Sequence, residues 1–313
     1  MPYSRVIVPL DGSELAERAL PLALALCRKT GAAPVLVTVV QAPSSATRQK
    51  PLVTVVAGRS PETSADRTAA GPARPSVETH SRQEAEMYMD RVQAVARATD
   101  GRVTGEIAEG DPASEIIRLA RGIKADVIVM ATRGRSGLVR GLLGSVTDRV
   151  TLGSPVPVLI VRAENAPDTA EEAGEIETVV LPLDGSELAE TALRHAATVA
   201  EGFGAKVVLL TVLAPGSSEY ETAEAFEYLG RVAFSLRPQV REVLPRVVSG
   251  DPRAEIVALA QTEPKTVVVM TTRGASGLSR WVRGSVADGV ARTGSVPTMV
   301  VPPVGVLFGP AIH

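Results

Sequence analysis

The stretch MATRGRSGLVRGLLGS, at residues 130–145, occurs twice in this chain, and its second copy reads MTTRGASGLSRWVRGS at residues 270–285. The two copies share Met, Thr, Arg, Gly, Ser, Gly, Leu, Arg and the closing Gly-Ser in register. A short apolar run, at residues 127–130 and 266–270, leads into each copy. We therefore expect each copy to contain the carboxyl end of a strand that opens into a loop.

The glycines of this loop are typical of a site that binds an anion. Glycine lets the main chain take positive φ and approach a ligand closely, and the start of a helix offers unpaired N–H groups and a partial positive charge. Gly144-Ser145 and Gly284-Ser285 each precede an apolar-periodic segment. The pattern favours a phosphate-binding loop in each copy, and the alternative interpretation is a tight strand-to-helix turn without a ligand.

A second repeated stretch defines the organisation of the chain. VPLDGSELAERAL at residues 8–20 returns 173 residues later as LPLDGSELAETAL, whereas the Gly-Asp-Pro at residue 110 returns 140 residues later. The difference matches the length of a polar stretch at about 41–79, which we interpret as a surface insertion without regular structure over much of its length. We expect a first domain at 1–164, a linker at 165–176, a second domain at 177–303 and an unplaced tail at 304–313.

The alternation of apolar runs with helical patterns predicts the fold class. We expect an α/β protein with two tandem, open, doubly wound, parallel five-stranded sheets that carry helices on both faces. An amphipathic helix over 16–28 should end near Gly31, since glycine suits a left-handed helix cap. Ligands bind such sheets outside the carboxyl ends of the strands, where the strand order reverses. Asp11 and the loop after Met130 would both lie there.

The last strand of each half, at 157–161 and 297–301, is apolar and is expected at a sheet edge. An exposed edge favours pairing, either between the two halves or between two chains. Pairing of the halves within one chain, about a pseudo-two-fold axis, is the arrangement that we prefer.

Composition narrows the class of protein. With 45% hydrophobic and 22% charged residues and a net charge of -2, the 313-residue chain is typical of a soluble, two-domain protein. Its 3% aromatic content and interspersed charge argue against a nucleic-acid or membrane surface. We expect a cytoplasmic protein. The single Cys27 is interpreted as a small core residue and His195 as a surface or packing residue, and no set of metal ligands is predicted.

Taken together, these residues resemble the universal stress protein family in a tandem, two-domain form. The resemblance rests on the Asp-Gly-Ser strand ends, the Gly-Asp-Pro helix start and the glycine loop. In the nucleotide-binding branch of the family, the loop reads Gly, two residues, Gly, nine residues, Gly, then Ser or Thr. Both halves match its last three positions, but Ala131 and Thr271 replace the leading glycine. The resemblance implies the adenine nucleotide alpha hydrolase-like fold, which is related to the Rossmann and flavodoxin-like folds.

The resemblance also implies a site in each half for ATP or a related adenine nucleotide, with or without Mg²⁺. Aspartates would accept hydrogen bonds from ribose hydroxyls, valine and methionine would line adenine, and the glycine loop would donate to phosphates. The implied residues are Asp11, Val39, Met130, Ala131, Arg133, Gly134, Gly144, Ser145 and Val146 in the first half, and Asp184, Val212, Met270, Thr271, Arg273, Gly274, Gly284, Ser285 and Val286 in the second.

Two of these assignments have alternatives. Asp-Gly-Ser after a strand is also ordinary turn and helix-cap chemistry, so we expect Asp11 and Asp184 to have a dual role. Arg133 and Arg273 are either a charged clamp or solvated loop residues.

The motifs of nucleotide chemistry do not accompany the loops. The Gly-Lys-Ser/Thr ending of a P-loop is missing, and no serine-nucleophile elbow accompanies a suitable His and Asp. We predict no catalytic residues. Our first hypothesis is a nucleotide-binding regulatory or stress-response module that holds a nucleotide in one or both halves, with little or no turnover. The alternatives are a weak ATPase or phosphotransfer enzyme in the same pocket, and a ligand-free stress scaffold that acts through dimerisation. The expected partners are an adenine nucleotide, the other half of the chain and possible second copies, without nucleic acid or membrane.

Overall fold

The computed structural model describes residues 2–40, 77–132, 144–271 and 285–303. Strands and helices alternate along this part of the chain. The strands are β1 (Arg5–Leu10), β2 (Ala33–Val40), β3 (Thr104–Glu109), β4 (Val127–Thr132), β5 (Val158–Arg162), β6 (Thr178–Pro182), β7 (Lys206–Leu213), β8 (Val243–Ser249), β9 (Thr266–Thr271) and β10 (Thr298–Val301). The helices are α1 (Glu14–Glu17), α2 (Leu20–Thr30), α3 (Val77–Thr99), α4 (Pro112–Gly122), α5 (Ser145–Gly153), α6 (Ala170–Ala173), α7 (Glu187–Glu190), α8 (Leu193–Phe203), α9 (Glu219–Leu236), α10 (Pro252–Thr262) and α11 (Ser285–Thr293).

The strands form one sheet in the order β3-β2-β1-β4-β5-β10-β9-β6-β7-β8. Within each half all pairs are parallel and the order reverses beside the first strand, which confirms the predicted α/β class and doubly wound halves. The halves are not separate sheets, however. β5 pairs with β10 in antiparallel orientation, with Met299 opposite Leu159, so the preferred pairing of the halves within one chain is observed.

The two faces of the sheet are packed differently. On one face, α2, α3, α8 and α9 contribute to a single hydrophobic core that extends across both halves. On the other face the core is divided, with α4 and α5 over the first half and α10 and α11 over the second. The central strands are buried on both sides, which explains their continuous Val, Ile and Leu runs.

One predicted helix is divided in the structure. Residues 16–28 were expected to form a single amphipathic helix, but α1 ends at Glu17 and α2 begins at Leu20. The same break separates α7 from α8, where Arg194 replaces Pro21 in the first turn, so proline is not required for it. Gly31 ends α2 with φ of 80°, the left-handed conformation that was predicted.

The connection between the halves packs against the first half. Its short helix α6 is capped by Thr169, whose hydroxyl accepts from the Glu172 amide at 3.1 Å. Arg28 of α2 donates to the Ala170 carbonyl at 2.8 Å. Most of the insertion and the tail at 304–313 lie outside the described residues.

Candidate functional site

Asp11 follows β1 directly, at the point where the strand order of the first half reverses. β1 lies between β2 and β4, with Leu10 opposite Thr38 and Ile7 opposite Ile128. Continuing that register places Asp11 level with Val39 on one side and with the last residue of β4 on the other. The carboxyl ends of these three strands therefore meet at one edge of the sheet, which is where such folds bind ligands.

The Asp11 carboxylate is exposed and organises the turn that follows it. Its Oδ1 accepts from the Ser13 amide at 3.0 Å and from the Ser13 hydroxyl at 2.5 Å. The Ser13 hydroxyl in turn accepts from the Ala16 amide at 3.1 Å and caps α1. The turn chemistry considered as an alternative is thus present. Both contacts use the same oxygen, and among the described residues Oδ2 has no partner.

Asp184 makes the same Oδ1 contacts in the second half. It follows β6, and its Oδ1 accepts from the Ser186 amide at 3.1 Å and from the Ser186 hydroxyl at 2.6 Å. Ser186 caps α7 through the Ala189 amide at 3.1 Å. The register of β6 with β7 pairs Pro182 with Leu210, which places Asp184 level with Val212.

An apolar pair lies beside each aspartate. Val39 and Met130 pack into the divided core on the α4 and α5 face of the first half, and Met130 is 6% exposed. Val212 and Met270 occupy the equivalent cluster of the second half, and Met270 is also 6% exposed. Each half therefore places an exposed carboxylate beside the strand ends that carry a buried methionine and a partly buried valine.

The two residues that replace the leading glycine are placed as follows. Ala131 is partly buried and packs against the core on the opposite face of the sheet from Met130. Thr271 is buried at the end of β9. At either position the side chain occupies space that glycine would leave open.

The beginning of α5 is suited to an anion. Gly144 occupies the N-cap position, where no side chain accepts a hydrogen bond from the first turn, and Ser145 is exposed. In contrast, side chains cap α1, α4, α6, α7, α9 and α10. Asp148 in the first turn opposes an anion, but Arg292 contacts it at 3.1 Å and offsets its charge. Uncapped N–H groups at a helix start are common phosphate ligands.

The remaining predicted residues are only partly described. Val146 packs against the first-half cluster and Val286 against the second-half cluster, close to the starts of α5 and α11. Ser285 is the first residue of α11. Arg133, Gly134, Arg273, Gly274 and Gly284 lie outside the described residues.

A tyrosine beside each aspartate was not identified from the sequence. The Tyr88 hydroxyl is buried, and Arg91 lies over the Tyr88 ring and contacts Glu17 at 2.8 Å. Burial, followed by the Glu17 and Asp11 carboxylates, raises the pKa of Tyr88 above its usual range. Burial, followed by the Glu190 and Asp184 carboxylates, likewise raises the pKa of Tyr228, although Arg231 contacts Glu227 instead of Glu190. The signal was available, because Tyr88 and Arg91 both recur 140 residues later.

The antiparallel seam separates the two candidate sites. Because all strands within a half run the same way and β5 opposes β10, the carboxyl ends of the two halves point to opposite edges of the sheet. Asp11 and Asp184 therefore lie at opposite edges.

The part of the chain that the structure describes contains no group of three or more His, Cys, Asp or Glu side chains placed to hold a metal ion. None of its helices combines the length and hydropathy of a membrane span.

The profile of the universal stress protein family matches residues 2–162 and again residues 175–302. The chain belongs to this family. Universal stress protein MJ0531 of Methanocaldococcus jannaschii is 31% identical over 163 residues, which cover 51% of this chain and 82% of that protein. Stress response protein NhaX of Bacillus subtilis is 32% identical over 170 residues, covering 50% of this chain and 97% of NhaX.

Solved universal stress proteins share the fold. The structure of one from Archaeoglobus fulgidus superposes with a TM-score of 0.68 and covers 95% of this chain and 98% of its own. Its sequence identity is 22%, so this likeness concerns the fold alone. The tandem form predicted from the sequence is confirmed by the two profile matches.

Proposed function

We propose that this universal stress protein binds ATP or a related adenine nucleotide, with or without Mg²⁺, and serves as a regulatory module of the stress response with little or no turnover. One observation carries the proposal. Each half places an exposed aspartate and a Val-Met pair at the carboxyl ends of its strands, where the strand order reverses.

The chemistry of these groups fits a nucleotide. The Oδ2 of Asp11, which has no partner among the described residues, is an acceptor for a ribose hydroxyl, and a charged acceptor makes such a bond strong. Val39 and Met130 offer an apolar surface to adenine. The uncapped start of α5 supplies N–H donors and a partial positive charge for phosphate.

Nucleotide binding would change the relative populations of the protein's conformations. A ligand shifts a protein toward the conformations that it binds best, so occupancy at a strand end can change the surface that a partner meets. Since the two sites lie at opposite edges of the sheet, each half is expected to bind its own nucleotide through its own residues.

The test is calorimetric titration with ATP, ADP and AMP of wild-type protein and of Asp11→Asn, Asp184→Asn and the double variant. Asparagine keeps an acceptor for the Ser13 or Ser186 turn but removes the charge and one acceptor oxygen. We expect each single variant to weaken one site by about tenfold or more, the value of a charged hydrogen bond. Asp90→Asn, an exposed acid on α3, is the matched control.

The outcomes separate the hypotheses. Wild-type protein that binds none of the three nucleotides, or a double variant with wild-type affinity, would overturn the proposal. A purified enzyme that releases phosphate from ATP, at a rate abolished by Asp11→Asn, would favour the weak ATPase in its place. Mass spectrometry of denatured protein for a co-purified adenine nucleotide is an independent check.

A further inference from the structure

The outer face of α9 exposes three aromatic side chains among charged ones, whereas the corresponding residues of α3 in the first half are His80, Glu86 and Ala94. On α9 the side chains of Tyr220, Phe226 and Phe234 are 75%, 46% and 75% exposed. These aromatic residues are not part of the core, because the inward face of α9 is already filled by other residues, namely Ala225, Leu229, Val232, Ala233 and Leu236. An exposed apolar stripe of this kind marks an interaction surface.

The stripe runs along one side of the helix. Ala223, Phe226, Gly230 and Phe234 are spaced by three or four residues, and all are exposed. A Cβ added to Gly230 would meet nothing within 4 Å. Gly230 therefore forms a shallow notch between two phenylalanines, into which a side chain of another helix fits.

Charges at the two ends of α9 lie on the side of the notch. Glu219 begins the helix and Arg237 follows it, and both are exposed. They are separated by 18 residues, which is five helical turns, so they share one side of the helix. Neither has an ion-pair partner among the described residues. An acid at one end and a base at the other complement a second helix that runs in the opposite direction.

The pair of end charges and the Phe226–Gly230 pair are centred on the same residue. The midpoint between Glu219 and Arg237 is residue 228, and the midpoint between Phe226 and Gly230 is also residue 228. A two-fold axis at that level would turn α9 of one copy antiparallel onto α9 of another. Phe226 would then face Gly230, and Glu219 would face Arg237, each contact occurring twice.

We propose that two copies of this protein associate through α9, as an antiparallel helix pair centred on residue 228. One helix face buries less than the roughly 800 Å² per partner of a standard interface, so we expect weak association, with a dissociation constant on the order of micromolar or above.

The first half is unsuited to this pairing. The positions of α3 that correspond to Phe226 and Gly230 are Glu86 and Asp90, both exposed. The same pairing of two α3 helices would bring these carboxylates together, and like charges in an interface disfavour association. Only α9 is therefore expected to pair.

Sedimentation velocity across about 1 to 500 μM protein tests the proposal, and the nucleotide is not needed. The wild type should shift from monomer to dimer, and Phe226→Lys should raise the dissociation constant at least about tenfold, as expected for a central aromatic residue present twice. Glu219→Arg and Arg237→Glu should each weaken the dimer, and the double exchange should restore it.

Matched variants exclude a general effect of surface charge. Met87 and Val95 of α3 are 74% and 69% exposed, and Met87→Lys with Val95→Lys should leave association unchanged. Circular dichroism and thermal melting check that each variant is folded. Wild-type protein that stays monomeric throughout, a dimer unaffected by Phe226→Lys, or a double exchange that fails to restore pairing would overturn the proposal.

Discussion

The first and second halves share one topology, but the two sides of the junction between them are built from different contacts. Tyr3 and His195 form one contact across the halves, with the Tyr3 hydroxyl 3.0 Å from His195 Nδ1. The 173-residue repeat relates these two residues to Ile176 and Leu22, and these apolar counterparts line a groove of about 530 Å³. A repeated fold therefore does not impose a repeated interface. One side of the pseudo-symmetric junction is closed by the Tyr3–His195 contact, and the other is a groove lined by both apolar and polar residues.

The polar side of the junction has one consistent arrangement of hydrogens. Arg194 Nε donates to His195 Nε2 at 3.0 Å, so Nδ1 carries the proton of a neutral imidazole and donates to the Tyr3 hydroxyl. That hydroxyl lies 3.9 Å from the Met299 sulfur, a weak acceptor. Burial, then the Arg194 charge, lowers the pKa of His195 to about 3. His195 is thus a buried packing residue and not a surface one.

The largest expected effect on the free energy of unfolding is at the groove side of the junction, where Leu22 lies. Leu22 is 2% exposed, and Leu22→Ala should lower the free energy of unfolding by about 2–4 kcal/mol, because it removes buried methyl groups and enlarges a groove. Denaturant unfolding measures the change. Leu152→Ala on α5, where the side chain is 50% exposed, should stay within about 0.5 kcal/mol. Equal losses in the two variants would show that this side of the junction is not packed.

The buried His195 on the polar side of the junction predicts that the stability of the fold depends on pH. His195 has a folded pKa of about 3, below the usual 6.5, so the unfolded chain takes up the proton first. Its contribution to stability is present above about pH 6.5 and is lost as the pH falls toward 3, by up to about 1.4 kcal/mol per pH unit. His195→Gln keeps hydrogen-bonding groups but does not titrate. Urea unfolding at several pH values should therefore show a steeper loss for the wild type than for this variant, and parallel curves would contradict the assignment.

The smallest expected effect is the difference in stability cost between alanine substitutions at two helix caps. Asp111 caps α4 through the Ser114 amide at 3.1 Å and also accepts from Arg149 at 2.7 Å, and Arg149, then Ser114, holds the pKa of Asp111 well below its usual range. Asp251 caps α10 through Ala254 at 2.9 Å, and Gly289 stands where Arg149 would. Replacement by alanine should cost about 1 kcal/mol at Asp251 and about 0.5 kcal/mol more at Asp111.

Salt and pH distinguish the two caps further. The extra loss at Asp111 should shrink in high salt, because the ion pair is exposed and therefore screened. A carboxyl group whose pKa is lowered in the folded state stabilises the fold at pH values above its usual pKa of about 3.9. This stabilisation is lost as the pH falls below that value. Thermal melts of both variants, with and without salt, provide the measurement. An identical salt response at the two positions would show that Arg149 adds nothing.

Much of the fold was predictable because its signals are local. Asp11 and Ser13 are two residues apart, and Gly31 ends its own helix, so the turn and the cap follow from short-range geometry. The repeated loop indicated two similar halves. The break between α1 and α2 was not predicted, since the apolar pattern continues through it. The sequence left open whether His195 lies at the surface or is packed inside, because its partner Tyr3 is 192 residues away.

The sequence by itself determined that the chain contains two α/β repeats, each with an aspartate and a glycine loop at its strand ends, because these patterns repeat in short segments. The sequence favoured pairing of the two last strands but left open whether they pair within one chain or between two chains, and only the tertiary structure decided this. Pairing of Thr298 with Ile160 joins the sheets in antiparallel orientation and turns Asp11 and Asp184 to opposite edges. That orientation depends on backbone hydrogen bonds and packing between segments that lie more than a hundred residues apart, and no local pattern specifies it.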